Sequence, residues 1–216
     1  MPCEVSAVLL AAGSSKRMGR PKQLLSLGGR PAIVRCLESI RGASINDIIV
    51  VVGPTGDEIV KAIEAFPATI VRNETPDADM SESVRIGLKS VNDASSGVFV
   101  CLADHPLVKA ETFISMCLCH AERPGAIVVP VYRGRKGHPP LLPRGILAEI
   151  ETVPTLSDLI GRHSEKVYRL EVSDEGVVLD MDTWEDYQRI LDRFSAEAIR
   201  VIRRDSCRSE RQDKPG

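Results

Sequence analysis

The fold is decided by the stretch VLLAAGSSKRMGRPK, residues 8–22, which joins an apolar strand to a basic loop. The middle of this stretch consists of small residues, which let backbone N–H groups approach a ligand closely. A concave run of such donors binds anions, and Arg17 and Lys22 add charge that suits a phosphate. The stretch therefore predicts a nucleotide triphosphate site at a strand-to-loop junction.

Two common phosphate-binding motifs do not describe this stretch. A Walker loop carries Gly-Lys-Ser/Thr directly before a helix, and the dinucleotide fingerprint carries three spaced glycines. Neither pattern occurs in residues 8–22. The other interpretation is a basic surface loop after an edge strand, because Lys and Arg are mostly exposed in proteins. The stretch alone leaves both interpretations open.

Apolar runs alternate with amphipathic segments through the first 130 residues. Uninterrupted apolar runs indicate strands covered on both faces, and an apolar stripe at helical spacing indicates a helix. The predicted strands are 5–11, 48–52, 69–71, 97–102 and 126–130. The predicted helices are 32–40, 57–66, 81–91 and 109–121. This alternation predicts an α/β fold with a doubly wound, mainly parallel sheet, which binds ligands at the carboxyl ends of its strands.

The pattern changes after residue 130, where residues 132–140 are rich in turn formers and basic side chains. Together with the strand-like Leu141 and Leu142, this stretch predicts a small β-hairpin that flanks the site. Short strands are also predicted at 167–172 and 177–179, and helices at 155–161 and 183–194. We predict one domain, 1–194, and a tail, 195–216, that is partly disordered because its end is charged and poor in apolar residues.

The composition excludes several classes of protein. Lys and Arg number 28 against 30 Asp and Glu, which gives a net charge of −2, whereas nucleic-acid-binding proteins are usually basic. No apolar stretch is long enough to span a bilayer, and the first residues lack the pattern of a signal peptide. The six cysteines show no disulfide-like spacing. We therefore expect a cytoplasmic protein with no nucleic-acid or membrane partner.

Two acidic positions could hold a metal ion. Asp104 follows the predicted strand 97–102, where a carboxylate beside a triphosphate would bind Mg²⁺ through oxygen. The alternative is an aspartate that caps a loop before a proline. Asp180 and Asp182 would lie on the same side of an extended segment and could add ligands. The alternative there is that Asp182 or Thr183 caps the following helix.

The chain resembles the molybdenum cofactor nucleotidyltransferases through the motif Leu10-Ala11-Ala12-Gly13-x-Ser15-x-Arg17-Met18-Gly19-x-Pro21-Lys22-Gln23-Leu24-Leu25. Within that family, Leu-Ala-Ala-Gly is similar to the cytidylyltransferase branch, whereas the guanylyltransferase branch usually carries Leu-Ala-Gly-Gly. The resemblance extends from about Val5 to about Leu191.

Four further motifs resemble the family in the same order along the chain. Asp104-His105-Pro106 stands where the family has Asp-Gln-Pro, and Gly137-His138-Pro139 matches its Gly-His-Pro. Residues 79–88 resemble Gly-Met-Ser-x-Ser-Leu-x-x-Gly-Leu, with Asp79 in place of the first glycine. Residues 180–186, DMDTWED, resemble Asp-Ile-Asp-Thr-Pro-Glu-Asp, with Trp184 in place of the proline.

The resemblance implies transfer of CMP from CTP to the terminal phosphate of molybdopterin, with release of pyrophosphate and with Mg²⁺ as cofactor. The catalytic residues that it implies are Arg17, Lys22 and Asp104. The nucleotide-binding residues are Leu10, Ala11, Ala12, Gly13, Arg17, Lys22, Gly53, Asn73, Ser81 and Asp104. The acceptor-binding residues are His105, Gly137 and His138, and the metal ligands are Asp104, Asp180 and Asp182. Ser81 is also expected to be the N-cap of its helix.

Other functions stay open at this point. GTP could replace CTP, or another phosphorylated compound could be the acceptor, because one fold supports many nucleotide transfers. The chain could also be a non-catalytic nucleotide- or cofactor-binding protein in molybdoenzyme maturation, with a molybdoenzyme or its chaperone as partner. Lys22 and Asp104 favour catalysis, whereas His105, Asp79 and Trp184 depart from the family pattern.

Overall fold

The computed structural model describes residues 4–13, 15, 18–76 and 79–196. Arg17 and residues 197–216 of the tail lie outside the described residues, so what is expected of them stays a prediction. The strands are β1 (Val5–Ala11), β2 (Ser26–Leu27), β3 (Arg30–Pro31), β4 (Asp47–Val52), β5 (Thr69–Arg72), β6 (Gly97–Leu102), β7 (Ile127–Tyr132), β8 (Arg135–Lys136), β9 (Leu141–Pro143) and β10 (Val167–Glu171). The helices are α1 (Ala32–Gly42), α2 (Asp57–Ala62), α3 (Met80–Leu88), α4 (Ala110–Glu122), α5 (Arg144–Leu147), α6 (Leu156–Arg162) and α7 (184–196).

Strand β1 is the centre of the sheet. All seven of its residues are buried, and it pairs in parallel with β4 on one side and with β6 on the other. Its nearly continuous apolar sequence suits a strand that is covered on both faces. The order across the sheet is β10-β7-β9-β6-β1-β4-β5, with β8 paired to β7, and β2 and β3 form a separate hairpin.

Helices cover both faces of the sheet. Leu9 packs into the core that contains α1 and α4, whereas Val8 packs into the core that contains α3 and α6. Successive side chains of a strand point to opposite faces, so β1 contributes to both cores. The α/β fold with a doubly wound, mainly parallel sheet is therefore confirmed. Within the described ranges, no helix has the length and apolar character needed to cross a membrane.

Four parallel strands end at the same edge of the sheet. Strands β1, β4, β5 and β6 run in the same direction, as their pairings show. The loop of residues 12–22, called the first loop below, follows β1 in the chain. The other three strands are followed by Gly53, Asn73 and Asp104, respectively. The topology thus brings four segments with predicted roles to one edge, where open α/β sheets bind ligands.

The expected hairpin forms between β7 and β8, where Tyr132 pairs with Arg135. Its turn consists of Arg133 (φ 49°) and Gly134 (φ 78°), and two successive positive φ angles are typical of a two-residue hairpin turn. Leu141 and Leu142 do not belong to this hairpin. They lie in β9, which runs antiparallel between β6 and β7 inside the main sheet.

Two elements differ from the sequence-based expectation. The strand predicted at 177–179 is wrong, because Glu175–Val178 is a 3-10 turn whose N-cap, Asp174, accepts a hydrogen bond from the N–H of Gly176. Such local bonding by Asp competes with strand pairing. The helix predicted at 57–66 ends at Ala62 and continues as tighter turns, because Pro67 disfavours helical geometry in the residue before it.

The C-terminal helix α7 packs beside the first loop. Met18 shares an apolar cluster with Met181 and Ile190, and Tyr187 Oη donates to the carbonyl oxygen of Ser26 at 2.6 Å. Burial of this cluster attaches the end of the described chain to the residues around β2. The segment 180–182, which precedes α7, therefore lies next to Met18.

Candidate active site

A buried amide fixes the first loop. Gln23 is 2% exposed, and its Nε2 donates to the carbonyl oxygens of Ala11 (3.2 Å) and Gly13 (3.1 Å). Ser15 Oγ accepts a bond from the N–H of Lys22 at 3.0 Å. These bonds connect Ala11, Gly13 and Ser15 with the 3-10 turn that begins at Lys22. The sequence predicts no role for Gln23, although its polar side chain directly precedes the apolar Leu24 and Leu25.

Two adjoining clefts open on this loop. One, of about 290 Å³, lies between the loop and the turn at 53–56. The other, of about 160 Å³, lies between the loop, the start of α3 and the end of β6. The residues that line the second cleft are Leu10, Ala12, Gly13, Gln23, Met80, Ser83, Leu102, Ala103 and Asp104. The two clefts together form a groove at the carboxyl ends of β1, β4 and β6.

Most of the predicted nucleotide-binding residues that the structure describes lie along this groove. Ala11 and Gly53 line the larger cleft. A Cβ atom at Gly53 would lie 3.1 Å from the carbonyl oxygen of Ala12, so the close approach of the two segments favours glycine there. Met80 and Ser83 line the smaller cleft without having been predicted to do so.

The side chains of Asn73 and Ser81 are both buried, and their nucleotide-binding roles stay predictions. Asn73 is buried, its Nδ2 donates to Ser83 Oγ at 3.1 Å, and its Oδ1 accepts from the N–H of Thr75 at 3.0 Å. Both ends of the Asn73 amide are therefore used within the protein. The expected N-cap role of Ser81 is wrong, because Asp79 caps α3 by accepting a bond from the N–H of Glu82 at 2.8 Å. Ser81 is buried in the first turn of the helix.

The side chain of Lys22 joins two carboxylates at the edge of the groove. Its Nζ lies 2.6 Å from Asp104 Oδ2 and 2.7 Å from Asp182 Oδ1. The side chains of Lys22, Asp104 and Asp182 are 13%, 20% and 39% exposed, so this ion-pair network is shielded from water on the Lys22 side. Three residues with predicted catalytic or metal-binding roles thus meet at one point.

Electrostatics keeps the Lys22 ammonium charged. Burial alone would lower the pKa of Lys22, but Asp104 and Asp182 more than offset this effect, and the pKa is raised above its ordinary value. The other oxygen of Asp104, Oδ1, is buried and has no hydrogen-bond partner among the described residues. A carboxylate oxygen in that position has the chemistry that a divalent cation such as Mg²⁺ requires.

Three acidic residues around the start of α7 have different partners. Thr183 caps α7 through a reciprocal pair of bonds with Asp186, in which Thr183 Oγ1 accepts from the N–H of Asp186 at 3.1 Å. Asp182 binds Lys22, whereas the charge of Asp180 acts on His105 and His138. Within the described part of the chain, no three His, Cys, Asp or Glu side chains are arranged to hold a metal by themselves. A metal ion here would need oxygen atoms from a ligand or water.

Two histidines lie beside Asp104. The ring centroids of His105 and His138 are 5.1 Å apart, and His105 Nε2 is 3.9 Å from Asp104 Oδ1. Burial lowers the pKa of both rings, that of His138 to about 4, so both are neutral at pH 7. Their buried Nδ1 atoms have no partner in the described ranges. The structure therefore brings together the two predicted acceptor-binding histidines.

Close packing against Val177 explains why residue 137 is a glycine. Its N–H donates to the carbonyl oxygen of Pro130 at 2.8 Å, and the N–H of His138 donates to that of Val177 at 2.8 Å. A Cβ atom at Gly137 would lie only 2.5 Å from the Val177 carbonyl oxygen. Glycine is therefore required for the 3-10 turn to pack against β8, and this packing positions His138.

The chain is similar to a family of nucleotidyltransferases and to several characterised relatives. A family model described as the MobA-like NTP transferase domain matches residues 7–169. The nicotine blue oxidoreductase of Paenarthrobacter nicotinovorans is 28% identical over 205 residues, which are 88% of this chain and 98% of that relative. The 2-C-methyl-D-erythritol 4-phosphate cytidylyltransferase of Frankia casuarinae is 38% identical over 109 residues, or 50% of this chain and 40% of the relative's length.

A solved structure shows the same fold over most of the chain. Rv0371C of Mycobacterium tuberculosis, solved in complex with manganese, superimposes with a TM-score of 0.73 at 28% identity and covers 88% of this chain and 98% of its own. The family model spans β1 through most of β10, including the first loop and Asp104. The chain therefore belongs to the family of MobA-like NTP transferase domains and is a nucleotidyltransferase by fold and family.

Proposed function

We propose that the protein transfers CMP from CTP to the terminal phosphate of molybdopterin and releases pyrophosphate. The observation that carries this proposal is the Lys22 ammonium, held by Asp104 and Asp182 at the edge of the groove lined by residues 10–13. This arrangement offers a cation for a triphosphate and carboxylate oxygen for a metal ion within one site.

The choice of CTP rests on the resemblance of the first loop. Ala12 stands where the guanylyltransferase branch usually has glycine, and Ala12 lines both clefts. The cytidylyltransferase relative from Frankia casuarinae, named for a phosphorylated acceptor, supports this class of reaction. Arg17 is proposed to act with Lys22 on the phosphates.

The metal is proposed to be Mg²⁺, and the manganese complex of the Mycobacterium tuberculosis structure supports a divalent ion. Asp104 would hold it, because its Oδ1 is buried without a partner among the described residues. Asp180 and Asp182 remain proposed additional ligands. A divalent ion held there would offset the negative charge that develops during transfer.

The transfer itself needs positioning and electrostatic stabilisation rather than a covalent protein intermediate. An oxygen of the acceptor phosphate forms a bond to the α-phosphorus, and the bond between that phosphorus and the β-phosphate oxygen breaks. Lys22 stabilises the negative charge on the departing pyrophosphate. His105 and His138 are neutral, so they can hydrogen-bond the acceptor without adding charge.

The test is pyrophosphate release with Mg²⁺ and molybdenum cofactor, compared for CTP, GTP, ATP and UTP. Release with CTP well above GTP is expected. Release with GTP instead would contradict the base assignment made from Ala12. If folded protein with active cofactor releases no pyrophosphate from any nucleotide, catalysis on this acceptor is contradicted. That result would favour another acceptor or a binding role. It would also favour redox chemistry of the kind that the name of the nicotine blue oxidoreductase indicates.

A further inference from the structure

Strand β10 is an open edge of the sheet. It is the last strand in the sheet order, and β7 is its one neighbour among the described strands. The N–H of Val172 donates to the carbonyl oxygen of Val131 in β7 at 2.9 Å, and the N–H groups of successive strand residues point to opposite sides. The N–H and C=O groups of Arg169 and Glu171 therefore point away from β7. An edge of this kind is able to pair with another strand.

The side chains of β10 divide between the two faces of the sheet. Leu170 and Val172 pack against the core that contains α1 and α4. Arg169 and Glu171 share the opposite face, because strand side chains two residues apart point the same way. Both are exposed, and neither has an ion-pair partner among the described residues. The open edge thus presents one cation and one anion, two residues apart.

This spacing makes the edge complementary to itself. Two copies of β10 that are related by a two-fold axis perpendicular to the sheet run antiparallel, and the axis can pass between Leu170 and its counterpart. Each Arg169 then lies opposite the Glu171 of the second copy, and the outward N–H and C=O groups of these residues pair. Moving the axis by one residue brings Arg169 opposite its own counterpart, or Glu171 opposite its own. Like charges in opposed positions are unfavourable, so the charges select the first register.

A groove beside β10 has room for an aromatic side chain of the second copy. Tyr168 is 37% exposed on the α4 side of the sheet, where the guanidinium carbon of Arg123 lies 4.6 Å from its ring centroid. In the selected register Tyr168 faces Val172 of the second copy. Val172 lines a groove of about 780 Å³ between the start of α4 and residues 171–174. Tyr168 of each copy can therefore pack into the groove of the other.

We propose that β10 is a homodimer interface, at which antiparallel pairing of residues 168–172 joins the sheets of two copies into one continuous sheet. Two-fold dimers are the commonest oligomers, and their interfaces are self-complementary as this edge is. The groove at β1, β4 and β6 lies at least three strands away from β10 in the sheet order. Dimerisation therefore leaves that groove open, and the proposal is independent of the transfer reaction.

The experiment measures self-association of the full chain by sedimentation velocity over a range of protein concentrations. Arg169→Glu and Glu171→Arg each place like charges opposite one another twice per dimer. We expect each change to weaken dimerisation about tenfold or more. The variant that carries both changes restores the opposite charges and should dimerise about as tightly as the unmodified chain.

A mixture of the two single variants tests the register itself. In a mixed dimer, each position 169 again faces an opposite charge at position 171 of the other copy. The equimolar mixture should therefore associate more tightly than either single variant alone. Lys61→Glu, an exposed change on α2 with the same effect on net charge as Arg169→Glu, is the matched control and should dimerise like the unmodified chain. Circular dichroism checks that every variant is folded.

Amide hydrogen exchange in the unmodified chain locates the interface. The N–H groups of Arg169 and Glu171 should become protected as the protein concentration rises, because they acquire partners only in the dimer. The N–H of Leu170, which points to β7, should exchange at a rate that does not depend on concentration.

Three results would overturn the proposal. The first is a full chain that stays monomeric at every concentration. The second is a dimer that the single charge reversals do not weaken, which would place the interface elsewhere. The third is protection of the Arg169 and Glu171 amides that is independent of concentration, which would mean that the same chain covers this edge. None of these results depends on the pyrophosphate assay.

Discussion

Gln23 Nε2 lies 3.1 Å from the carbonyl oxygen of Gly13, and through this bond a buried side chain holds the end of the predicted nucleotide loop. The same nitrogen also donates to Ala11. The loop's backbone is therefore shaped by a buried residue that also lines both clefts of the groove. Preorganisation of this kind reduces the entropy that ligand binding would otherwise have to overcome.

Replacement of Gln23 by Met should weaken both stability and nucleotide binding. Met keeps the length of the side chain but leaves two carbonyl oxygens without their donor, which costs about 1–3 kcal/mol of unfolding free energy. Urea denaturation and CTP titration measure the two effects. Gln188→Met on the exposed face of α7 is the matched control and should change neither. Unchanged CTP affinity in a destabilised Gln23→Met would show that the amide serves folding alone.

Part of the site follows from the sequence because parallel strands share an edge. The first loop and Asp104 each come after a continuous apolar run, so their convergence needs only the strand directions. The ion pair between Lys22 and Asp182 depends instead on how α7 packs against Met18. Local sequence patterns do not predict tertiary packing of this kind.

Side-chain direction decides which of the predicted residues take the hydrogen-bond roles expected of them. Asp79 and Ser81 are both good N-cap residues two positions apart, and only the backbone path into α3 selects Asp79. Asn73 lies at the expected strand end, but its amide is taken up by Ser83 and Thr75. A sequence pattern identifies the position of such residues and leaves their hydrogen-bond partners undetermined.

Lys22→Ala should reduce turnover by about 100-fold or more, because the site loses the cation placed to stabilise the developing charge. Asp104 and Asp182 would then face each other without the ammonium between them. Steady-state pyrophosphate release measures the loss, and circular dichroism checks folding. Lys61→Ala, on the exposed side of α2, is the matched control. Turnover near the natural level in folded Lys22→Ala would remove Lys22 from the mechanism.

His138 should make the protein less stable in mild acid. Burial holds its folded-state pKa at about 4, whereas an unfolded histidine has a pKa of about 6.5, so the unfolded chain binds more protons between these values. The stabilisation is complete above pH 6.5 and is lost as the pH falls toward 4, with about 2 kcal/mol lost by pH 5.

The check is urea denaturation at pH 7.5 and pH 5 for the natural chain and for His138→Gln. The glutamine has no proton to gain in this range, so the drop in unfolding free energy should be smaller by about 2 kcal/mol in the variant. Equal drops in the two proteins would mean that His138 titrates near its ordinary pKa in the folded state.

Gly137→Ala should disrupt the region around His138 through a steric clash rather than through loss of a contact with a ligand. The added Cβ would meet the Val177 carbonyl oxygen at 2.5 Å, and because that oxygen is backbone the whole 175–178 turn has to move. We expect a loss of about 1–3 kcal/mol in unfolding free energy together with a raised KM for the acceptor. Gly145→Ala in α5, where a Cβ meets nothing within 4 Å, should be close to neutral. A Gly137→Ala protein of natural stability with a raised KM would instead assign Gly137 a direct contact with the acceptor.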